Sequence, residues 1–304
     1  MVGKVVSRSK KRKKIKKGIV DAIELWIIRL IILIAVLVTV IPFLNVISVS
    51  FSSPESIMQN KVFLLPVGWN SSAYSTVFHD AKMLRSLAFT IFLTLVYTFA
   101  TLFMTVCAAY PLTKKTMYGQ KQIMLVVIFT MYFSGGIIPE YILMKNLNLT
   151  NTMWSLVCPG LISVYNMIIM KSFMEQLPES IEESAAIDGA GHITILAKII
   201  LPMSKPILAT MALYYAVARW NTFQDALYYI NDEALYPLQL KLNMLINMTQ
   251  TSELTQFENV NLTNLVPENV KSASIMFATV PIVLVYPWLQ KYFVTGLTLG
   301  AVKE

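Results

Sequence analysis

The sequence predicts an all-α integral membrane protein with six transmembrane helices and both termini in the cytoplasm. Three observations predict it. Of 304 residues, 56% are hydrophobic and only 14% are charged, against ~25% charged in soluble domains. Mean hydropathy is +0.59, and a soluble fold so composed could not carry enough surface charge to stay dispersed. Long uncharged stretches recur along the chain, and Lys and Arg are unevenly placed between them. The same numbers exclude a disordered chain. Only Cys107 and Cys158 occur. Both lie inside apolar runs and read as small core residues, which excludes a disulfide scaffold.

A membrane helix needs ~20 mostly apolar residues. Residues 30–51 give 22 without a charge, 86–113 give 28, 122–139 give 18 and 146–170 give 25. The fifth stretch, 206–224, is interrupted by Arg219, and the sixth, 272–290, contains Pro281 and Pro287. Gly135-Gly136 before Pro139 mark either a helix terminus or a break at the outer end of the third span.

Orientation follows from the cations. Nine of the 25 Lys and Arg lie in the first 17 positions. With the N-terminus inside, 17 of the 25 fall on the inner side, including Lys114, Lys115, Lys121, Lys171, Lys198, Lys205, Lys291 and Lys303. The outer links are acidic, with Glu55, Asp80, Glu140, Asp232 and Glu233 among others. The basic start reads as a cytoplasmic tail on anionic lipid rather than a nucleic-acid arm or a cleaved signal. The predicted organisation is a basic tail (1–24), a six-span domain (25–295) and a cytoplasmic C-terminal tail (296–304). The six-span domain has a cytoplasmic loop at 176–206 and extracytoplasmic loops at 52–85 and 230–271. Loops as long as the outer two are either solvated caps or docking surfaces.

The loop at 176–206 predicts a short helix outside the bilayer. Pro178 suits a first helical position. Glu179, Glu182 and Glu183 lie where the helix dipole favours negative charge. Gly189 and Gly191 can end the helix, and Pro202 and Pro206 turn the chain into the fifth span. Ala185, Ala186, Gly189 and Ala190 are small enough to let a partner surface approach closely. A plain interfacial connector is the alternative.

The spacing here resembles a known pattern. Glu183-Ser184-Ala185, three residues, Gly189, nine residues, then Ile199-Ile200-Leu201-Pro202 is similar to the EAA loop of ABC importer permeases (E-A-A, x3, G, x9, I-x-L-P). Ser184 replaces the first Ala, a small-for-small change. Asp188-Gly189-Ala190 also fits, as do Tyr132-Phe133-Ser134-Gly135-Gly136-Ile137-Ile138-Pro139, Trp220-Asn221 and Gly296-Leu297-Thr298-Leu299-Gly300-Ala301-Val302-Lys303. The chain thus resembles the second permease subunit of class-1 carbohydrate-uptake ABC importers, in the branch handling complex oligosaccharides.

The resemblance implies the type I ABC importer permease fold in a bacterial cell membrane. It implies a heterodimer with a second homologous permease, two cytoplasmic ATPase subunits holding ATP and Mg, and an extracytoplasmic solute-binding protein that delivers an oligosaccharide. A similar importer for a non-sugar solute is the alternative. Glu183, Ser184, Ala185, Asp188, Gly189, Ala190, Ile199, Leu201 and Pro202 would form the coupling segment. Glu183 would meet basic or polar groups of the ATPase groove, Gly189 would permit the turn, and Leu201-Pro202 would pass motion into the fifth span.

Arg219 is the one charge deep in a span, in its outer half. It either lines the pathway, pairs with an acid such as Asp225, or snorkels. Trp220 and Asn221 beside it offer an aromatic face and an amide suited to sugar. Tyr214, Tyr215, Tyr228 and Tyr229 read as an interfacial belt before a sugar platform. His79 and His192 are far apart, so no metal cluster is expected. No G-x-x-x-x-G-K-[ST] loop occurs, so no cofactor is expected in this chain and ATP must be hydrolysed elsewhere. An intramembrane enzyme would need a nucleophile with a base or paired carboxylates in the bilayer, and a secondary transporter would need coupling carboxylates. The spans are nearly bare of both.

Overall fold

The structure, a computed structural model, describes residues 2–255 and 267–301, with side chains over 24–247, 268–285 and 287. The side chains of the basic tail, residues 256–266 of the second outer loop and the C-terminal signature side chains lie outside the described residues. The described residues are mostly helical, and no strand occurs among them. They divide into two compact units, one holding the chain to Ser75 with the start of the last helix to Met276, the other holding Thr76 onward with the rest of that helix.

In the first unit, α1 (Val2–Ser50) contains an apolar stretch, Glu24–Ser50, of mean hydropathy 3.0. Its side chains from 24 to 40 are exposed, as suits a helix solvated by lipid on every side. Its end is pinned by small polar groups. Ser52 Oγ donates to the Ser48 carbonyl at 2.6 Å and accepts the Val67 N–H at 3.0 Å. Asn269 Nδ2 donates to the Ser52 carbonyl at 2.7 Å. After α2 (Pro54–Met58) the chain doubles back through Gly68, at φ +66, where an added Cβ would sit 2.6 Å from Ser53 Oγ. That close approach and the left-handed backbone both require glycine. Helix α3 (Ser72–His79) follows.

The second unit is built on α4 (Ala81–Ala109), the centre of an unbroken apolar stretch to Thr113. Ser86, Thr90, Thr94, Thr101 and Thr105 are buried on one face, while Phe92, Leu95, Phe99 and Phe103 are exposed on another. This is the membrane form of amphipathicity: small polar residues admit neighbouring helices, and large apolar ones meet lipid. Thr90 Oγ1 accepts the Leu238 N–H at 2.7 Å, and Thr105 shares a 2.6 Å hydrogen bond with the Tyr215 hydroxyl.

The remaining helices are α5 (Gln120–Tyr132), α6 (Ile137–Asn146), α7 (Trp154–Val157), α8 (Val164–Met174), α9 (Glu179–Ile187), α10 (His192–Ile195), α11 (Leu201–Met203), α12 (Lys205–Asn221), α13 (Gln224–Tyr229), α14 (Leu238–Thr255) and α15 (Pro267–Ala301). A core of Val106, Met167, Met170, Ile195, Ile200, Ile207, Met211 and Tyr215 joins α4, α8, α10 and α12.

The predicted third and fourth spans are bent in the structure, and the expected turn into the fifth lies at Ser204. Helices α5 and α6 meet at 113°, the helical turns around α7 meet α8 at 52°, and His192–Met203 meets α12 at 82°. The first bend falls at Gly136, whose φ of +84 leaves the helical region, so the glycine pair marks a break. The predicted fourth span starts too early, because Asn148 and Asn151 adopt positive φ of 54° and 59° and hold a turn ahead of Trp154. The predicted second outer loop is not wholly solvated: α14 opens with Leu238, Leu240 and Leu242 buried. Cys107 is exposed rather than buried in the core.

Candidate functional site

Two sites lie at opposite ends of α12. The first is the elbow formed by α9, α10 and the start of α12. Pro178 caps α9 from outside at ψ 121 rather than entering it. The helix stops at Asp188, and Gly189 takes φ +81. The Gly189 N–H donates to the Ala186 carbonyl at 3.0 Å, and the Ala190 N–H to the Ala185 carbonyl at 2.9 Å. These two bonds, with a left-handed glycine between, form a Schellman stop that satisfies the last carbonyls. Ala185 and Ala190 then pack, half-buried, against the protein's own core.

The opposite face is open. Glu183, Ser184, Ala186, Asp188 and Gly189 are exposed, and Ile187 is 87% exposed. The Ser184 hydroxyl is turned back to the Ser180 carbonyl at 2.8 Å. A Cβ on Gly189 would meet nothing within 4 Å. Two ion pairs tie α9 to the chain after α4. Lys114 pairs with Glu182, both three-quarters buried, and its ammonium lies 4.5 Å from the Tyr110 ring centre. Lys115 pairs with Glu179 at 3.1 Å in full exposure.

Beyond α10 the chain passes through a π-helical turn, Leu196–Ile200, into α11. Such wide turns recur where helices must deform. Ile200 is buried and Leu201 packs on the core, while Pro202 is exposed. Ser204 then bends the chain by 82° into α12. The elbow therefore has an outward face on α9 and an inward face on the core.

The second site surrounds Arg219, about 20 Å of helix from the elbow. Arg219 is 4% exposed. It donates to both Asp225 carboxylate oxygens, to the Leu156 carbonyl at 3.0 Å and to the Thr222 carbonyl at 3.1 Å. The residue thus joins α7, the end of α12 and the start of α13. Its guanidinium lies 5.7 Å from the Tyr97 ring centre, and its Nε has no partner among the described residues. The pairing reading of Arg219 holds, yet Arg219 also lines a cavity of about 460 Å³.

Other walls of that cavity include Tyr97, Glu140, Gln224, Tyr228 and Tyr229. Of the three residues proposed from sequence, only Arg219 reaches it. Trp220 is buried, and Asn221 is exposed with Nδ2 on the Val217 carbonyl at 2.8 Å. Tyr215 and Tyr229 are buried and do not form a belt. Tyr229 is held by the Asn151 N–H, which donates to its carbonyl at 2.7 Å, and by stacking on Tyr141 at 6.3 Å. Burial raises the Tyr229 phenol pKa, and the Glu140 and Asp225 charges raise it further, so it stays a neutral donor. Tyr97 and Glu140 were beyond reach of sequence reading because they come from other helices.

A family model described as "Binding-protein-dependent transport system inner membrane component" matches residues 81–298. Protein LplC of Bacillus subtilis (strain 168) is 44% identical over 268 residues, 88% of this chain and 90% of that one. The polygalacturonan/rhamnogalacturonan transport system permease protein YtcP of the same organism is 37% identical over 90% of this chain and 95% of its own. A crystal structure of a bacterial ABC transporter that imports the acidic polysaccharide alginate has a chain with TM-score 0.80 and 34% identity, over 88% of this chain and 95% of that one. A second alginate transporter chain, at 13% identity and TM-score 0.58, shares the fold alone. The EAA-like spacing and the match over both sites agree: this chain belongs to the binding-protein-dependent transport system inner membrane components and is a membrane transport permease, not an enzyme.

Proposed function

We propose that this permease is half of an oligosaccharide importer driven by separate ATPase subunits. Each bent helix pair crosses the bilayer once, giving six spans with both termini cytoplasmic. A second permease of the same family completes the pathway. An extracytoplasmic solute-binding protein delivers the sugar, and two ATPases holding ATP and Mg grip the two permeases from inside. Relatives named for sugar or polysaccharide transport support the sugar over a non-sugar solute.

The observation that carries the reading is the two-faced elbow. Helix α9 presents Glu183, Ala186, Ile187 and Gly189 outward while Ala185, Ala190 and Leu201 lock its other side to the core. A push on the outer face must therefore move α12. ATP can shift the equilibrium only if the ATPases bind this face differently in their two states.

The test is a cysteine at Ile187 in a chain with Cys107 and Cys158 replaced by serine. It should cross-link to a co-purifying ATPase and react with an impermeant maleimide only from the cytoplasmic side. Labelling from the outer side would refute the orientation and the coupling role together.

A further inference from the structure

The cavity beside Arg219 has a charge balance that bears on which sugars it can take. Among the described residues Arg219 is its one lining cation, and Asp225 pairs with it: both carboxylate oxygens accept from the guanidinium, and Oδ1 also accepts the Ala226 N–H at 2.9 Å. Glu140, in the first turn of α6, is left as an exposed carboxylate. Lys145 shares that helix but stands in its last turn and does not line the cavity. Among the described residues the lining therefore carries one uncompensated negative charge.

The rest of the lining is neutral and suited to a sugar ring. Gln224 is exposed and carries both a donor and an acceptor. Tyr228 is 42% exposed and Tyr229 is buried at its side. Aromatic faces take the apolar C–H side of a pyranose, while carboxylates and amides take its hydroxyls. The volume, about 460 Å³, lies within the ~300–1,000 Å³ of small-molecule sites. The buried Arg219 Nε, without a partner among the described residues, leaves one donor unspent in the wall.

We propose that this cavity is a subsite for one uncharged glycosyl unit of the transported chain, and that Glu140 disfavours uronic acids there. The inference rests on the sugar-importer reading and narrows it. Glu140 and Gln224 hold ring hydroxyls, and Tyr228 supplies the stacking face. A uronate carboxylate would lie against Glu140 with no free cation to pair with, an unpaired repulsion of the kind that sets specificity.

The experiment uses the whole importer in proteoliposomes with its binding protein. Probes are neutral trisaccharides of glucose, galactose, mannose, xylose and arabinose, together with trigalacturonate. At least one neutral probe should be taken up in preference to trigalacturonate. Its KM should rise about tenfold in Tyr228→Ala and Gln224→Ala, and little in Tyr228→Phe, which keeps the ring. Glu140→Lys should raise trigalacturonate uptake relative to the neutral probe by about tenfold. Preferred wild-type uptake of trigalacturonate would overturn the subsite proposal and leave the sugar reading standing. So would neutral uptake indifferent to Tyr228→Ala and Gln224→Ala, or an unchanged preference in Glu140→Lys. If no probe is taken up and none stimulates ATP hydrolysis, the sugar reading falls and the subsite falls with it.

Discussion

The two ends of α12 are built by opposite rules. At the elbow the backbone determinants are contiguous: the Schellman stop at Gly189, the π-helical turn and the bend at Ser204 all fall within 179–205. At the Arg219 end the determinants converge from afar. Tyr97 comes from α4, Glu140 from α6, Leu156 from α7 and Asp225 from α13. The elbow's two ion pairs lie near or at the surface, whereas Arg219 is buried and paired. A local device can be moved as a unit, and a convergent one fixes the relation of several helices. The elbow therefore suits transmission of motion, and the Arg219 cluster suits holding a shape.

The largest effect that could break this contrast is at Arg219. Arg219→Met leaves Asp225 without its counter-ion and the Leu156 and Thr222 carbonyls without a donor. Loss of one partner from a buried pair should cost about 3 kcal/mol. Thermal unfolding of the purified chain followed by intrinsic fluorescence would measure it. Asp225→Asn keeps an acceptor and should cost less. An unchanged midpoint in Arg219→Met would mean the cluster does not hold the helices.

Smaller effects sharpen the contrast within the elbow. A double-mutant cycle with Lys114→Met and Glu182→Gln should give a coupling energy of about 1 kcal/mol, because both groups are three-quarters buried. The same cycle with Lys115→Met and Glu179→Gln should give about 0–0.5 kcal/mol, since that pair is 82% and 75% exposed. Equal values for the two pairs would show that burial does not distinguish them.

Legibility in the sequence followed the same division. The stop at Gly189 was readable because a left-handed C-terminal glycine leaves a local mark, and so was the turn into α12. The EAA-like spacing is likewise local. What the elbow does with Ala185 and Ala190 was not readable, because only the fold decides which face of α9 the core covers. Around Arg219, the pairing with Asp225 was within reach at six residues' separation. The cavity was not: Tyr97 and Glu140 carry no sign of sharing a wall with Tyr228. Hydropathy counted long apolar stretches but missed their bends, since a window sums composition and is blind to Gly136 at φ +84 or Asn151 at φ +59. Tyrosines suit an interface and a buried pocket equally by composition, which is why Tyr215 and Tyr229 were misplaced.

The most direct measurement is the ratio of sugar uptake to ATP hydrolysis in the reconstituted importer carrying Gly189→Trp, beside Gly189→Asn. Both share the cost of a side chain at φ +81, and Asn bears that backbone best after glycine. Among the described residues nothing lies within 4 Å of the new Cβ, so the root of either side chain meets no obstacle there. If α9 is the handle, Gly189→Trp inserts and melts like Gly189→Asn but loses uptake and the stimulation of ATP hydrolysis by loaded binding protein. Full uptake at the normal ratio in Gly189→Trp would contradict it.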